Sequence, residues 1–239
     1  AFNAAGWDAA AMNSRSCSGE LNRLARSYHS GATEDLRFVL DAVCEADYDD
    51  IVLVGFSLGG NLVLKYLGED PAAVLPAVRA GVTFSVPVDL AETARVLVQP
   101  GNRIYHDRFL RKLRRKIRSK AALMPDRLDP APLAQVRTLI DFDDLFTGPL
   151  HGFVDAADYY ARNSSQNWLE NIQVPTLLVS ATNDPMLGPG CYPRDAADTS
   201  RSFHLEETAW GGHVGFRLAG SRYYSELRAL EFAREVCGE

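Results

Sequence analysis

Ile51-Val52-Leu53-Val54-Gly55-Phe56-Ser57-Leu58-Gly59-Gly60 is the stretch whose reading decides the fold. Its first four residues form a short continuous apolar run, the pattern of a strand buried on both faces. Leu58 to Leu67 reads as a helix that starts at once, with no loop between. A serine at that junction must occupy a tight, strained turn that projects its hydroxyl beyond the end of the sheet. Glycines two before and two after it, Gly55 and Gly59, let strand and helix pack closely. Gly60 adds a further close-approach position. The helix aims its first N–H groups at the hydroxyl, so the N–H of Leu58 is a candidate donor to a developing oxyanion.

Working outward, strands alternate with helices, which predicts an α/β fold with a mostly parallel sheet flanked by helices. Upstream, Trp7 to Met12 reads as a short strand after a helix stop at Gly6. Residues 13–30 read as a polar loop. Ala32 to Ala46 reads as a helix with Leu36, Val39, Leu40 and Val43 on one buried face. Downstream, Gly81 to Val86 is a second buried strand. The rhythm breaks over 90–170, read as a mostly helical inserted cap. It resumes with strands at Thr176 to Ser180 and Ser202 to Glu206 and a last helix at about Tyr223 to Val236. The expected organisation is 1–89 as the first part of the core, 90–170 as the insert and 171–239 as the second part.

A serine hydroxyl is a weak nucleophile without a base, and the base needs an acid to orient it. Asp184 lies just past the apolar strand 176–180. His213 lies in Gly211-Gly212-His213-Val214-Gly215, past the strand at 202–206. Serine, acid and histidine in that chain order, each on a turn after a strand, make Ser57, Asp184 and His213 the candidate catalytic residues. His204 sits within a strand and reads as structural. His29, His106 and His151 precede Asp184 and break the order. Asn183 carries no carboxylate, and Asp155 and Asp158 read as solvated or capping residues of the insert.

Composition narrows the classes. The chain has 239 residues, 46% hydrophobic and 23% charged, which suits one large globular domain or a domain with an inserted cap. A net charge of −6 argues against a general nucleic-acid binder. Cys17, Cys44, Cys191 and Cys237 lack the spacing of a disulfide framework or a zinc ribbon and fit a reducing, cytoplasmic compartment. No apolar run approaches the ~18 residues of a membrane span.

Taken together, the motifs resemble one family. Met12-Asn13-Ser14-Arg15-Ser16-Cys17-Ser18-Gly19-Glu20, Ser27-Tyr28-His29-Ser30-Gly31, Gly55-Phe56-Ser57-Leu58-Gly59-Gly60-Asn61, Arg103-Ile104-Tyr105, Asp158-Tyr159-Tyr160, Val174-Pro175-Thr176-Leu177 and Gly211-Gly212-His213-Val214-Gly215-Phe216 look like the YheT-like branch of the α/β-hydrolases. That branch includes medium-chain esterases and alcohol acyltransferases. The resemblance implies Ser57, Asp184 and His213 as a triad, an acyl ester as substrate and no metal or organic cofactor. Relatives tend to carry an aromatic where Ser14 stands and a glycine where Ser16 stands, which bears on the shape of a loop near the site.

The resemblance also implies that the chain begins inside the helix after the third strand of the fold, with the N-terminal strands missing. The expectation is then that the Trp7 and Ile51 strands lie about two strand spacings apart, roughly 9–10 Å, with unpaired edges between them. The second oxyanion donor, from the loop after that third strand, would lie outside these residues.

Arg103 to Lys120 carries nine basic residues and one acidic residue, Asp107, a window of +8 that leaves −14 on the remainder. Phe109, Leu113 and Ile117 at i, i+4, i+8 predict one apolar face. The preferred reading is a solvated helix whose stripe packs inward. The alternative is a weak contact with anionic lipid headgroups, making the protein peripheral to a membrane. Phe142, Phe146, Phe153, Tyr159 and Tyr160 read as the core of the insert ahead of an acyl pocket. A non-catalytic lipid- or protein-binding member of the fold is the competing functional class.

Overall fold

The computed structural model describes residues 1–238. Four short strands pair in parallel: β1 (Ile51–Phe56), β2 (Val78–Phe84), β3 (Thr176–Ala181) and β4 (Phe203–Thr208), in that order across the sheet. The helices are α1 (Thr33–Cys44), α2 (Leu58–Glu69), α3 (Leu90–Leu97), α4 (Arg103–Leu123), α5 (Leu139–Phe142), α6 (Gly148–Leu150), α7 (Ala156–Asn163), α8 (Arg194–Thr199) and α9 (Tyr224–Cys237). A π-helical turn, Asp143–Thr147, joins α5 to α6.

Both faces of the sheet are covered, which is why its central strands read as unbroken apolar runs. Ala80, Val82 and Phe84 of β2 and Leu177, Val179 and Ala181 of β3 pack with Ala229 and Phe232 of α9. Leu178 and Leu53 instead join a core with Leu36 and Leu40 of α1 and Val63, Leu64 and Leu67 of α2. β4 is only partly buried, and its carboxylates are paired. Glu207 receives both Nε and Nη2 of Arg194 at 2.6 Å, and Glu206 receives Tyr224 Oη at 2.5 Å and Arg228 Nε at 2.8 Å.

The expected strand at Trp7–Met12 does not form. A 3₁₀ turn at Asn3–Ala5 does stop at Gly6, which takes φ +90°, but the residues after it run as irregular backbone. A strand is stabilised by a neighbour's ladder, and Trp7-Asp8-Ala9-Ala10-Ala11-Met12 pairs with no strand among the described residues. Its three alanines also have little β preference. β1 therefore forms one side of the described sheet, with Val54 and Phe56 39% and 42% exposed.

Contact density divides the chain into two compact units. One comprises Ala1–Met12, Ser30–Asp89 and Ser164–Glu239; the other comprises Asn13–His29 and Leu90–Asn163. Residues 13–29 thus group with 90–163 in one unit.

The second unit has its own apolar centre, where Leu110, Ile117 and Ala121 of α4 meet Leu128, Leu133, Val136, Phe142 and Phe146. Tyr159 and Tyr160 of α7 pack with Leu90 and Ala94 of α3. The inward row of α4 differs from the expected one. It runs His106, Leu110, Ile117 and Ala121, whereas Phe109 is 37% exposed. An i, i+4, i+8 series drifts about 40° per step round a helix, while alternating steps of three and four hold one face.

Lys120, counted among the solvated cations of the segment, is fully buried. Its ammonium donates to Asn22 Oδ1 at 2.8 Å, Arg26 O at 2.9 Å and Ser27 Oγ at 3.1 Å. All three acceptors are uncharged, and burial, followed by the nearby Lys116 and Arg15 charges, lowers its pKa to about 8. The same Ser27 offers its carbonyl to His151 Nε2 at 2.9 Å. Partly buried Asp143 accepts from Thr147 Oγ1 and Tyr160 Oη, both at 2.6 Å, and desolvation of its carboxylate raises its pKa.

Candidate active site

Ser57 stands between β1 and α2 with φ +50° and ψ −120°, a backbone region that non-glycine residues rarely occupy. Hydrogen bonds on both sides hold it there. Its N–H donates to Phe84 O at 2.8 Å, extending the β1–β2 ladder, and its carbonyl accepts from Asn61 N at 3.1 Å, opening α2. A Cβ at Gly55 would come within 2.6 Å of Gly59 O, and one at Gly60 within 2.4 Å of Val86 Cγ2. At Gly59 an added Cβ meets nothing within 4 Å. The close approach therefore falls on Gly55 and Gly60, and Gly59 takes part only through its backbone. The N–H groups of Leu58, Gly59 and Gly60 open α2, where a helix has no internal acceptors for them.

The three sequence-selected side chains come together. His213 Nε2 lies 2.8 Å from Ser57 Oγ, and His213 Nδ1 lies 2.8 Å from Asp184 Oδ2. The Asp184 side chain is wholly buried and that of His213 is 15% exposed. Asp184 Oδ1 accepts the Met186 N–H at 2.9 Å, so each carboxylate oxygen has a donor. Ser57 follows β1, Asp184 follows β3 and His213 follows β4, so all three lie beyond the carboxyl ends of parallel strands. A profile of the α/β-hydrolase fold family matches residues 1–216.

The chain belongs to the α/β-hydrolase fold family.

Among relatives, it is 37% identical to YheT of Escherichia coli K12, an esterase by name, over 93% of this chain and 65% of that protein. It is 30% identical to a monoacylglycerol lipase of Saccharomyces cerevisiae over 92% of this chain and 51% of that protein. The chain thus spans about half to two thirds of the length of these curated relatives. A dipeptidyl peptidase 4 of Porphyromonas gingivalis, of known structure, overlays 85% of this chain and 22% of its own with a TM-score of 0.51 at 14% identity, a likeness of fold alone.

In this α/β-hydrolase the sequence reading passed over Asn183 because it lacks a carboxylate. Its amide oxygen accepts the N–H groups of Gly211 at 3.1 Å and Gly212 at 2.9 Å. Asn183 thereby fixes the turn that leads into His213 from the loop that carries Asp184. Its place beside Asp184 on a post-strand turn was the available signal. Gly211 is enclosed as well, since a Cβ there would meet Phe216 Cε1 at 2.7 Å and Ala181 Cβ at 2.8 Å. Phe216 N–H returns to Gly211 O at 2.9 Å, closing the turn. Beneath it, Phe56 stacks on Phe84 with centroids 5.0 Å apart, and Phe84 meets Phe216 edge-on at 5.7 Å. Tyr192 donates to Ala181 O at 2.7 Å, and burial, then the Asp184 charge, push its pKa up to about 12.

The passed-over residues lie elsewhere. His29, His106 and His151 belong to the other compact unit, and His204 is exposed on β4. Asp155 and Asp158 accept backbone N–H groups at the start of α7, from Asp158 at 2.8 Å and Val154 at 3.0 Å. Among the described residues no cluster of three His, Cys, Asp or Glu side chains could hold a metal ion, and no helix is long and apolar enough to cross a membrane.

Proposed function

We propose that this chain is the catalytic part of a serine hydrolase that cleaves carboxylic esters of acyl chains through an acyl-enzyme. The observation that carries the reading is the unbroken hydrogen-bond chain Ser57–His213–Asp184, both links 2.8 Å, on a strained turn at a helix N-terminus. The family and the lipase and esterase names of the relatives support an acyl ester as substrate.

In the first step Ser57 Oγ attacks the ester carbonyl carbon and His213 Nε2 takes the hydroxyl proton. Asp184 keeps the other imidazole nitrogen in its N–H form and stabilises the imidazolium. The carbonyl oxygen becomes an oxyanion beside the start of α2, where the Leu58 N–H donates to it. Collapse of the tetrahedral species breaks the bond to the alcohol oxygen, which leaves with the proton from His213. Water then attacks the acyl-serine, His213 takes its proton and passes it to Ser57 Oγ as the acyl–oxygen bond breaks, and the carboxylic acid leaves. An alcohol in place of water gives a new ester, so transfer and hydrolysis share one acyl-enzyme. No step calls for a metal or an organic cofactor. The scattered spacing of Cys17, Cys44, Cys191 and Cys237 supports a reducing, cytoplasmic setting.

A fluorophosphonate probe tests the reading. Covalent labelling of the chain that disappears in Ser57→Ala, with turnover of p-nitrophenyl acyl esters lost in the same variant, is the expected result. Labelling that persists in a folded Ser57→Ala would sink it, and product analysis with added alcohol separates transfer from hydrolysis.

A further inference from the structure

The outward face of α4 is not used by the chemistry above. Taken at about 100° per residue, Ile104, Arg108, Arg111, Arg115 and Arg118 lie along one line of the helix, with Lys112 beside it. All six are exposed. The line from Arg108 to Arg118 is about 15 Å long at 1.5 Å per residue. Arg103 faces Asp107 at 3.6 Å, but Arg108, Arg111, Lys112, Arg115 and Arg118 have no ion pair or hydrogen bond among the described residues. The other cations of α4 turn inward: Arg114 donates to Val136 O at 2.6 Å, Lys116 lies 4.6 Å from the Tyr28 ring centroid and Lys120 is buried.

We propose that this face is a docking surface for an anionic lipid bilayer. Five unpaired cations in a row are self-repelling, and a dense field of negative headgroups neutralises them together. The rest of the chain carries −14, so net positive charge is concentrated on this helix. Exposed aliphatic residues mark its two ends, Ile104 at 82% and Leu123 at 68% exposure. Such side chains suit the headgroup boundary of a bilayer, whereas a nucleic-acid backbone offers them nothing. The inward stripe of Leu110, Ile117 and Ala121 is already spent on the core of its own unit. Contact is therefore by charge, with α4 lying on the surface and its apolar stripe outside the bilayer. That the contact delivers lipid esters rests on the serine-ester reading; the contact itself does not.

Co-sedimentation of the 239-residue chain with vesicles tests this. Binding to vesicles of phosphatidylcholine with a third phosphatidylglycerol is expected at low salt, with none to phosphatidylcholine alone. It should fall steeply toward physiological ionic strength, where exposed charges are screened within about 8 Å. Joint reversal, Arg108→Glu with Arg111→Glu and Arg115→Glu, should weaken binding on the order of 100-fold. The milder Arg-to-Gln set should weaken it less, and Ser57→Ala should bind as the parent does. Circular dichroism establishes that each variant is folded. The proposal is overturned if the parent ignores anionic vesicles at low salt, if it binds neutral vesicles equally, or if the folded reversal variant binds as the parent does. Tighter binding to duplex DNA than to anionic vesicles at the same salt would overturn it in favour of a nucleic-acid surface.

Discussion

The amide oxygen of Asn183 accepts the N–H of Gly212 at 2.9 Å, one residue before His213. This bond, with its neighbour to Gly211, ties the histidine turn to the acid turn independently of the Asp184–His213 contact. Asn183→Ala leaves two turn N–H groups without that acceptor and should lower kcat roughly 10- to 100-fold, matching ~1–3 kcal/mol for such a loss. KM should change little. Asn183→Asp keeps an acceptor in place and should recover most of the rate. Steady-state kinetics on a water-soluble ester, with fluorophosphonate labelling rates alongside, checks the order parent, Asp variant, Ala variant.

Asp184→Asn should be far more damaging. An amide in place of the carboxylate can present the wrong hydrogen-bonding partner to His213 Nδ1 and removes the charge that stabilises the imidazolium. The expected loss is on the order of 10⁴ in kcat, with the fold retained. A loss below tenfold in a folded variant would show that the carboxylate does not orient the base.

The two glycines flanking Ser57 should respond in opposite directions. Gly55→Ala forces a methyl against Gly59 O, a backbone atom that cannot swing aside, and should cost ~1–3 kcal/mol. Gly59→Ala meets open space on a helix and should be neutral or gain up to about 1 kcal/mol. Urea unfolding of the two variants against the parent measures both.

Lys120 predicts an unusual alkaline trend. Its pKa is lowered to about 8 in the folded chain from 10.5 when exposed, so between those values the unfolded chain binds the extra proton. Stability from this residue therefore rises with pH through that window and is lowest below it, where the buried ammonium is charged. Tyrosines whose pKa is raised by burial, such as Tyr192 and Tyr224, act in the opposite sense at higher pH. The parent and Lys120→Met should therefore be compared between pH 7.5 and about 9.5. The parent should gain on the variant as pH rises, and parallel stability curves would count against the assignment.

Legibility in the sequence followed the local physics. β3 stands out because a strand buried on both faces favours a continuous apolar run, and β1 shows the same run although Val54 and Phe56 are exposed in the described sheet. α8 left no trace, since Arg-Asp-Ala-Ala-Asp-Thr is six residues with no apolar period. β2 begins at Val78, earlier than read, because exposed Arg79 interrupts its apolar pattern, and it ends before Ser85, whose φ is +50°. Ser57, Asp184 and His213 could be selected because each follows a readable strand. Asn183 offered only its place beside Asp184 as a signal, because its role is to bind backbone groups 28 and 29 residues away. The burial of Lys120 was hidden for a related reason: its acceptors lie 93 to 98 residues upstream, in a stretch with no pattern of its own.

The Ser57 and His213 side chains that meet at 2.8 Å are separated by 156 positions, and all of residues 90–163 intervene. The strand-to-helix turn at Ser57 uses only local contacts and β2, so it is buildable early in folding. Its partner histidine arrives only after β3 and β4 have joined the sheet, and such non-local closures are slow. Probe reactivity at Ser57 is thus a clock for the final stage of refolding. During refolding from denaturant, helical signal should return before the chain becomes labelled, and the lag between the two is the time the sheet takes to add its last two strands.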